Sequence, residues 1–349
     1  MTALEGYLRA RINAEGALSV ADYMATCLYH PQWGYYLRKD PLGAAGDFIT
    51  APEISQMFGE LLGAWALAVW QSMGEPADIV LAELGPGRGT LMADFLRAAA
   101  TVPAFRRALR IHLVEISPTL RARQKQTLQD AQVIWLDDIR TLPAGPLLLI
   151  ANEFFDALPI NQYVMDDDGW HDRLVGIKQG KLAFAVGPLA DINGPPATAG
   201  DIFEINKPGR EIARWLGQHL TVQGGAALIV DYGHAITAVG DTLQAVKRHR
   251  HAAILDDPGD ADLTAHVDFQ ALAEAANAAT TTNVISQGSF LRSLGIELRA
   301  ERLMSTTPQK ADMIQSACRR LIEPSGMGTL FKVRALTHPG LPTPPGFVR

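Results

Sequence analysis

The spacing of apolar positions changes along this chain, and each change predicts a different kind of element. Residues 3 to 30 read as two short helices. Ser19 and Asp22 have the S-x-x-D spacing of a helix N-cap, and Tyr23, Met24 and Leu28 follow them. An aromatic, glycine-rich loop over 31–49 holds Trp33, Tyr35 and Tyr36. Beyond it, Ile54, Met57, Phe58, Leu61, Leu62, Trp65 and Val69 recur at helical spacing, which predicts one long helix with a buried face. Thr50 is placed to cap that helix, Pro52 suits its first turn, and Glu53 completes a capping box.

From residue 79 the pattern becomes alternating strand and helix. Short apolar runs predict strands over 79–83, 110–115, 132–136, 147–151 and 226–230, with helices over 90–100 and 118–129. Strands of this kind joined by helices imply an α/β fold with a parallel sheet buried on both faces. Two insertions interrupt it. Residues 161–186 read as antiparallel strands, with turns at Asp167 to Gly169 and at Gln179 and Gly180. Residues 233–266 are polar and irregular, with Arg248, His249, Arg250 and His251 at the centre. Helices near 289–322 precede a strand over 329–335, with which a strand at 283–286 is placed to pair. The last ten residues, rich in proline and glycine, read as a loose tail. The organisation is then a helical N-terminal cap over 1–75 and a main domain over 76–349, with insertions near 160–206 and 233–266.

Composition narrows the classes of function. Of 349 residues, 48% are hydrophobic and 19% charged, which supports a substantial core and excludes wholesale disorder. Lys and Arg total 31 against 37 Asp and Glu, a net charge of −6, which argues against nucleic acid as the main partner. Cys27 and Cys318 are too few for a disulfide framework or a four-cysteine zinc site. A reducing compartment follows, and without a secretory pattern the expected location is cytoplasmic. No apolar run approaches the ~18 residues of a membrane helix. His249 and His251 have no third ligand nearby, so no metal is expected and an exposed polar loop is the simpler reading.

The strongest local signal is ELGPGRGT over 83–90. Gly85, Gly87 and Gly89 permit a tight turn, Pro86 stiffens it, and the helix opening at Thr90 offers free N–H groups to an anion. A dinucleotide enzyme wants G-x-G-x-x-G, and Thr90 stands where that pattern continues, which disfavours a nicotinamide dehydrogenase. The spacing E-x-G-x-G-x-G is that of class I S-adenosylmethionine methyltransferases. Glu115, at the end of the second strand, is placed to accept both hydroxyls of a ribose. Asp137 and Asp138, ending the third, either bond an adenine amino group or cap the next segment. Asn152, Glu153 and Asp156 end the fourth strand, where a nucleophile is held or loop backbone is satisfied.

Three segments carry a resemblance to a known family: GDFITAPEISQMFGE over 46–60, ELGPGRGT over 83–90 and NEFFDALP over 152–159. Together they resemble the MidA family of S-adenosylmethionine-dependent methyltransferases of bacteria and mitochondria. Tyr35 and Tyr36, Asp231 to Gly233, Gly288 with Phe290 and Leu291, and Met327 and Gly328 with Phe331 and Lys332 fit it too. The resemblance implies a Rossmann-like class I sheet with a C-terminal antiparallel strand, and S-adenosylmethionine as cofactor. Its mitochondrial relatives are complex I assembly factors assigned protein-arginine methylation. It therefore implies methylation of an arginine in a protein substrate, with a respiratory complex I subunit as one candidate. Another protein or small-molecule acceptor, and an assembly chaperone that binds the cofactor without catalysis, stay open.

Arginine is a demanding acceptor because its guanidinium stays protonated at neutral pH and is a poor nucleophile. Carboxylates gripping it would orient one nitrogen and help a proton leave. Glu153 and Asp156 are the first candidates. Glu53 is a second, its capping role being the competing reading, and His266 is either a general base or structural. Trp33, Tyr35 and Tyr36 either form part of a lid over the cofactor or pack the N-terminal helices. The cofactor-binding set expected from these patterns is Thr50, Pro52, Glu53, Gly85, Pro86, Gly87, Gly89, Thr90, Glu115, Asp137, Asp138 and Asn152.

Overall fold

The computed structural model describes residues 2–38, 50–247 and 249–347. The start of the first family segment, 46–49, the glycine-rich part of the loop beyond 38, and Arg248 lie outside the described residues. Six principal strands form the central sheet: β1 (Ile79–Leu84), β2 (Leu109–Val114), β3 (Val133–Leu136), β4 (Leu147–Asn152), β5 (Gly225–His234) and β6 (Phe331–Thr337). Their spatial order is β3-β2-β1-β4-β5-β6. β1 to β5 pair in parallel and β6 runs antiparallel to β5. Ile285–Ser286 pairs with β6, as the expected edge strand, and Thr280–Thr281 adds to the same edge.

Every residue of β1 and β4 is buried, because helices cover both faces. One face carries the helices Gln56–Ser72 and Thr90–Ala99 and the C-terminal helices, through Trp65, Phe95, Phe290 and Leu321. Lys207–Gln223 and Phe269–Ala275 cover the other, through Leu216, Leu220 and Phe269. The sequence reading passes over Lys207–Gln223, although Asn206 caps it by accepting from Gly209 N at 2.7 Å and Pro208 sits in its first turn. The N-terminal helices Ala3–Glu15 and Val20–Tyr29 join a third core. Leu4, Tyr23 and Leu28 meet Ile160, Val175 and Leu263 from the two insertions there. Helix Gln56–Ser72, grouped with the cap on sequence grounds, belongs to the core of the sheet.

Two expectations change. The helix predicted to open at Thr50 is broken. Ala51–Ile54 is a single turn, Ser55 is extended, and Ser55 caps Gln56–Ser72 by accepting from Met57 N at 3.2 Å. Thr50 makes no side-chain cap, and Glu53 turns away from capping altogether. The segment 233–266 is not irregular. It holds the three-stranded sheet Arg250–Ala252, Gln244–Lys247, Asp262–Thr264, with His249 in the left-handed region at the turn. His249 and His251 are exposed, and no metal-binding cluster exists among the described residues. The tail is tied down by Phe347, whose ring lies 5.4 Å from that of Phe290.

Candidate active site

The chain runs outward from β1 to β3 and then returns to β4 on the other side of β1. That reversal opens a crevice at the carboxyl ends of the strands. A cavity of about 420 Å³ lies there. Its floor is the glycine loop. Gly85 and Gly87 have φ of 58° and 54°, and a Cβ on Gly85 would stand 2.9 Å from the Phe154 ring. Glu53 reaches this loop from the preceding helical turn. It accepts from Thr90 Oγ1 at 2.5 Å and lies 3.7 Å from Arg88. Glu53 thus braces the glycine loop from the cap side. Glu83, under the loop, is buried. Its Oε2 has no hydrogen-bond partner among the described residues, and burial, aided by Glu115, pushes its pKa up to about 8.

At the end of β2, Glu115 accepts from Ser117 N at 2.8 Å and from Gln124 Nε2 at 3.2 Å. Gln124 also donates to Gly87 O at 2.8 Å and accepts from Trp135 Nε1 at 2.8 Å. One amide thus ties the glycine loop, the Glu115 carboxylate and β3 together. A carboxylate has about four lone-pair sites, so Glu115 keeps capacity for further donors. Asp137 pairs with Arg121 at 2.6 Å. Asp138 caps the turn Ile139–Thr141, accepting from Arg140 N at 2.9 Å, and pairs with the Arg140 guanidinium, which holds its pKa low. Asp138 therefore does cap the next segment, and both aspartates also line the cavity.

At the end of β4 the wall is acidic. Glu153 takes a left-handed φ of 49°, a conformation costing a non-glycine residue about 1–2 kcal/mol that its surroundings must offset. Its Oε1 accepts from Ala51 N at 2.9 Å and from Asn152 Nδ2 at 3.1 Å, and the residue lines the cavity. Burial, with the charge of Asp156 adding, pushes Glu153 up to about 7. Asp156 is buried outside the cavity lining. Its pKa is pushed up to about 6 by burial, and its Oδ1 has no partner among the described residues. Two tyrosines from the N-terminal segment also line the cavity. Tyr29 donates to Ala157 O at 2.9 Å, Tyr36 donates to Asp262 Oδ1 at 2.7 Å, and the rings stack 5.9 Å apart.

A model of the family described as "Putative S-adenosyl-L-methionine-dependent methyltransferase" matches residues 61–287. The chain belongs to this methyltransferase family. It is 38% identical over 93% of its length to protein arginine methyltransferase NDUFAF7, mitochondrial, of Danio rerio, covering 85% of that protein. The human protein of the same name is 35% identical over 96% of the chain, with 83% of the human protein covered. A solved COG1565 superfamily member from Burkholderia thailandensis, bound to S-adenosyl-homocysteine, superposes with a TM-score of 0.87 at 30% identity. That match covers 99% of this chain and 94% of the other. The NDUFAF7 relatives are named as mitochondrial proteins, which overturns the expectation of a cytoplasmic location.

The methyltransferase's own residues fit its cofactor. Two buried acceptors in the cavity wall, Glu83 Oε2 and Asn152 Oδ1, lack partners among the described residues, and a ligand ammonium would satisfy them. Glu115, held by its local donors, suits ribose hydroxyls. Of the residues singled out from sequence, the structure brings Thr50, Pro52, Glu53, Gly85, Pro86, Gly87, Thr90, Glu115, Asp137, Asp138, Asn152 and Glu153 to one cavity. Gly89, Asp156 and His266 do not line it. Gly89 is the left-handed N-cap of helix Thr90–Ala99. His266 packs edge-on against Tyr232 at 5.6 Å, and burial lowers its pKa. The sequence reading missed Glu83 as a wall residue, although it begins the glycine motif. It also missed Gln124 and the cavity-lining Ile212 and Trp215 of the unpredicted helix.

Proposed function

We propose that this methyltransferase modifies an arginine of a protein substrate, with Glu153 receiving the guanidinium. The observation that carries this is Glu153 itself, a carboxylate fixed at the end of β4 in the cavity wall. The relatives named protein arginine methyltransferases support the same acceptor. The cofactor supplies an already activated methyl group. The protein's task is then to bind, orient, exclude water and take a proton. Glu115 would accept from the ribose, Asp137 would serve the adenine end, and Glu83 and Asn152 would accept from the amino-acid end.

Methylation of a guanidinium nitrogen releases one proton, and the Glu153 carboxylate in the cavity wall would take it. A pKa near neutrality lets one carboxylate both accept that proton and release it to solvent. The stacked Tyr29 and Tyr36 rings add aromatic surface to the lining that a cation would meet. Asp156 adds negative charge behind the loop. A respiratory complex I subunit remains the candidate substrate that the family resemblance suggests. Proteome-wide mass spectrometry of cells with and without this protein tests the reading through loss of methyl-arginine peptides, restored by the wild-type chain and not by Glu153→Gln. Unchanged arginine methylation would sink the arginine assignment. Restoration by Glu153→Gln would sink the role of Glu153.

A further inference from the structure

Asp231, at the end of β5, is fully buried and does not line the cavity. Its Oδ2 accepts from three successive backbone amides across the sheet: Phe154 N at 3.2 Å, Phe155 N at 3.0 Å and Asp156 N at 3.3 Å. Its Oδ1 accepts from Tyr232 N at 2.9 Å. The preceding amide, Glu153 N, donates to Val230 O at 2.9 Å. So every N–H from 153 to 156 is taken by the last two residues of β5 before Tyr232. Successive amides converging on one point form a nest for an anion, and here the anion is a side chain of the same protein. The loop needs such a clamp because Glu153 stands at a φ of 49°, and the turn begun there brings the next three amides together.

We propose that Asp231 is the positioning residue for methyl transfer: its carboxylate fills the amide nest of 154–156 and so fixes the turn that holds Glu153 against the acceptor. The inference rests on the reading that Glu153 engages the acceptor. It accounts for a buried acidic residue that does not line the cavity. It also explains how a loop so exposed to strain holds a side chain within the tolerance that catalysis needs.

The test compares Asp231→Ala, Asp231→Asn, Glu153→Gln and the double variant Glu153→Gln/Asp231→Ala. Tritium transfer from S-adenosylmethionine is measured into a hypomethylated lysate from cells lacking the protein. Affinity for S-adenosylhomocysteine is read by calorimetry and backbone hydrogen exchange by mass spectrometry. Asp231→Ala should lower the rate at saturating cofactor about hundredfold, with the affinity within about threefold of wild type. Exchange should quicken selectively at 154–156 and not in β4 or β5. Asp231→Asn keeps a carbonyl oxygen for the three amides and should recover about tenfold of that loss. The double variant should be no slower than Glu153→Gln alone, since both changes remove the same function.

Wild-type transfer by Asp231→Ala, an equal loss of cofactor affinity, or additive losses in the double variant would each overturn the proposal. Wild-type transfer by Glu153→Gln would instead overturn the reading of Glu153, and a slow Asp231→Ala beside it would place Asp231 in another role. If Asp231→Ala does not fold, Asp231→Asn carries the same comparison of rate against affinity.

Discussion

The two halves of the cavity are built over different distances along the chain. In the half formed by β1 to β3, the functional side chains are held by near neighbours. Glu115 is bonded by partners 2 and 9 residues away, Asp138 by one 2 away and Asp137 by one 16 away. In the half formed by β4 and β5 the partners are remote. Glu153 is fixed from 102 residues away, Asp231 reaches 75 to 77 residues back, Tyr29 reaches 128 and Tyr36 reaches 226. In the proposed reading the first half holds most of a cofactor whose chemistry is fixed, and a local strand–turn–helix motif suffices for it. In the same reading the second half meets the acceptor, and its contacts come from the cap and the insertions. The difference predicts that damage to one half shows in affinity and damage to the other in rate.

The largest expected effect tests the second half. Glu153→Gln should slow methyl transfer about a thousandfold at saturating cofactor while leaving S-adenosylhomocysteine binding near wild type by calorimetry. A parallel loss of affinity would mean that the two halves are not separable. Gly87→Val tests the first half. A β-branched residue at a φ of 54° distorts the glycine loop, and binding should weaken about hundredfold in the same calorimetric assay. Glu115→Ala should weaken binding about tenfold, because the ribose loses a charged acceptor. A variant whose rate falls while its affinity holds would move Glu115 into the other half.

The smallest effect concerns pH. Glu83, Glu153 and Asp156 are pushed up to about 8, 7 and 6 from ordinary values of 4.5, 4.5 and 3.8. Between about pH 4 and 8 the folded protein therefore holds more protons than the unfolded chain, and stability falls as pH rises through that window. The melting temperature without cofactor should be a few degrees, about 3–6 °C, higher at pH 5.5 than at pH 8. Glu83→Gln should shrink the difference, because it removes the ionisation with the highest of these pKa values. A melting temperature that climbs over this range would show that the buried carboxylates ionise without cost.

Much of the first half was legible in the sequence. Apolar runs marked β1 to β5, glycines marked the turn that needs left-handed backbone, and Glu115 followed from its place at a strand end. Local signals failed where tertiary contacts outvoted them. Thr50 and Glu53 spell a capping box, yet Glu53 serves Thr90 instead, because Ser55 restarts the helix and frees its side chain. The segment 233–266 looked irregular because its short strands are stabilised by pairing with one another, and three or four residues show no period. His266 looked catalytic in type but faces Tyr232 rather than the cavity.

By itself the sequence determined the fold class, the glycine loop and the place of the Glu115 carboxylate at a strand end, since each depends on residues close together along the chain. Only the tertiary structure decided which acidic groups share a wall, that Glu53 braces the loop, and that Asp231 clamps Glu153 and Asp156. Those relations join positions scores of residues apart. Whether a carboxylate there is a cap, an ion-pair partner or a proton acceptor depends on burial and on donors that only folding brings within 3 Å or so.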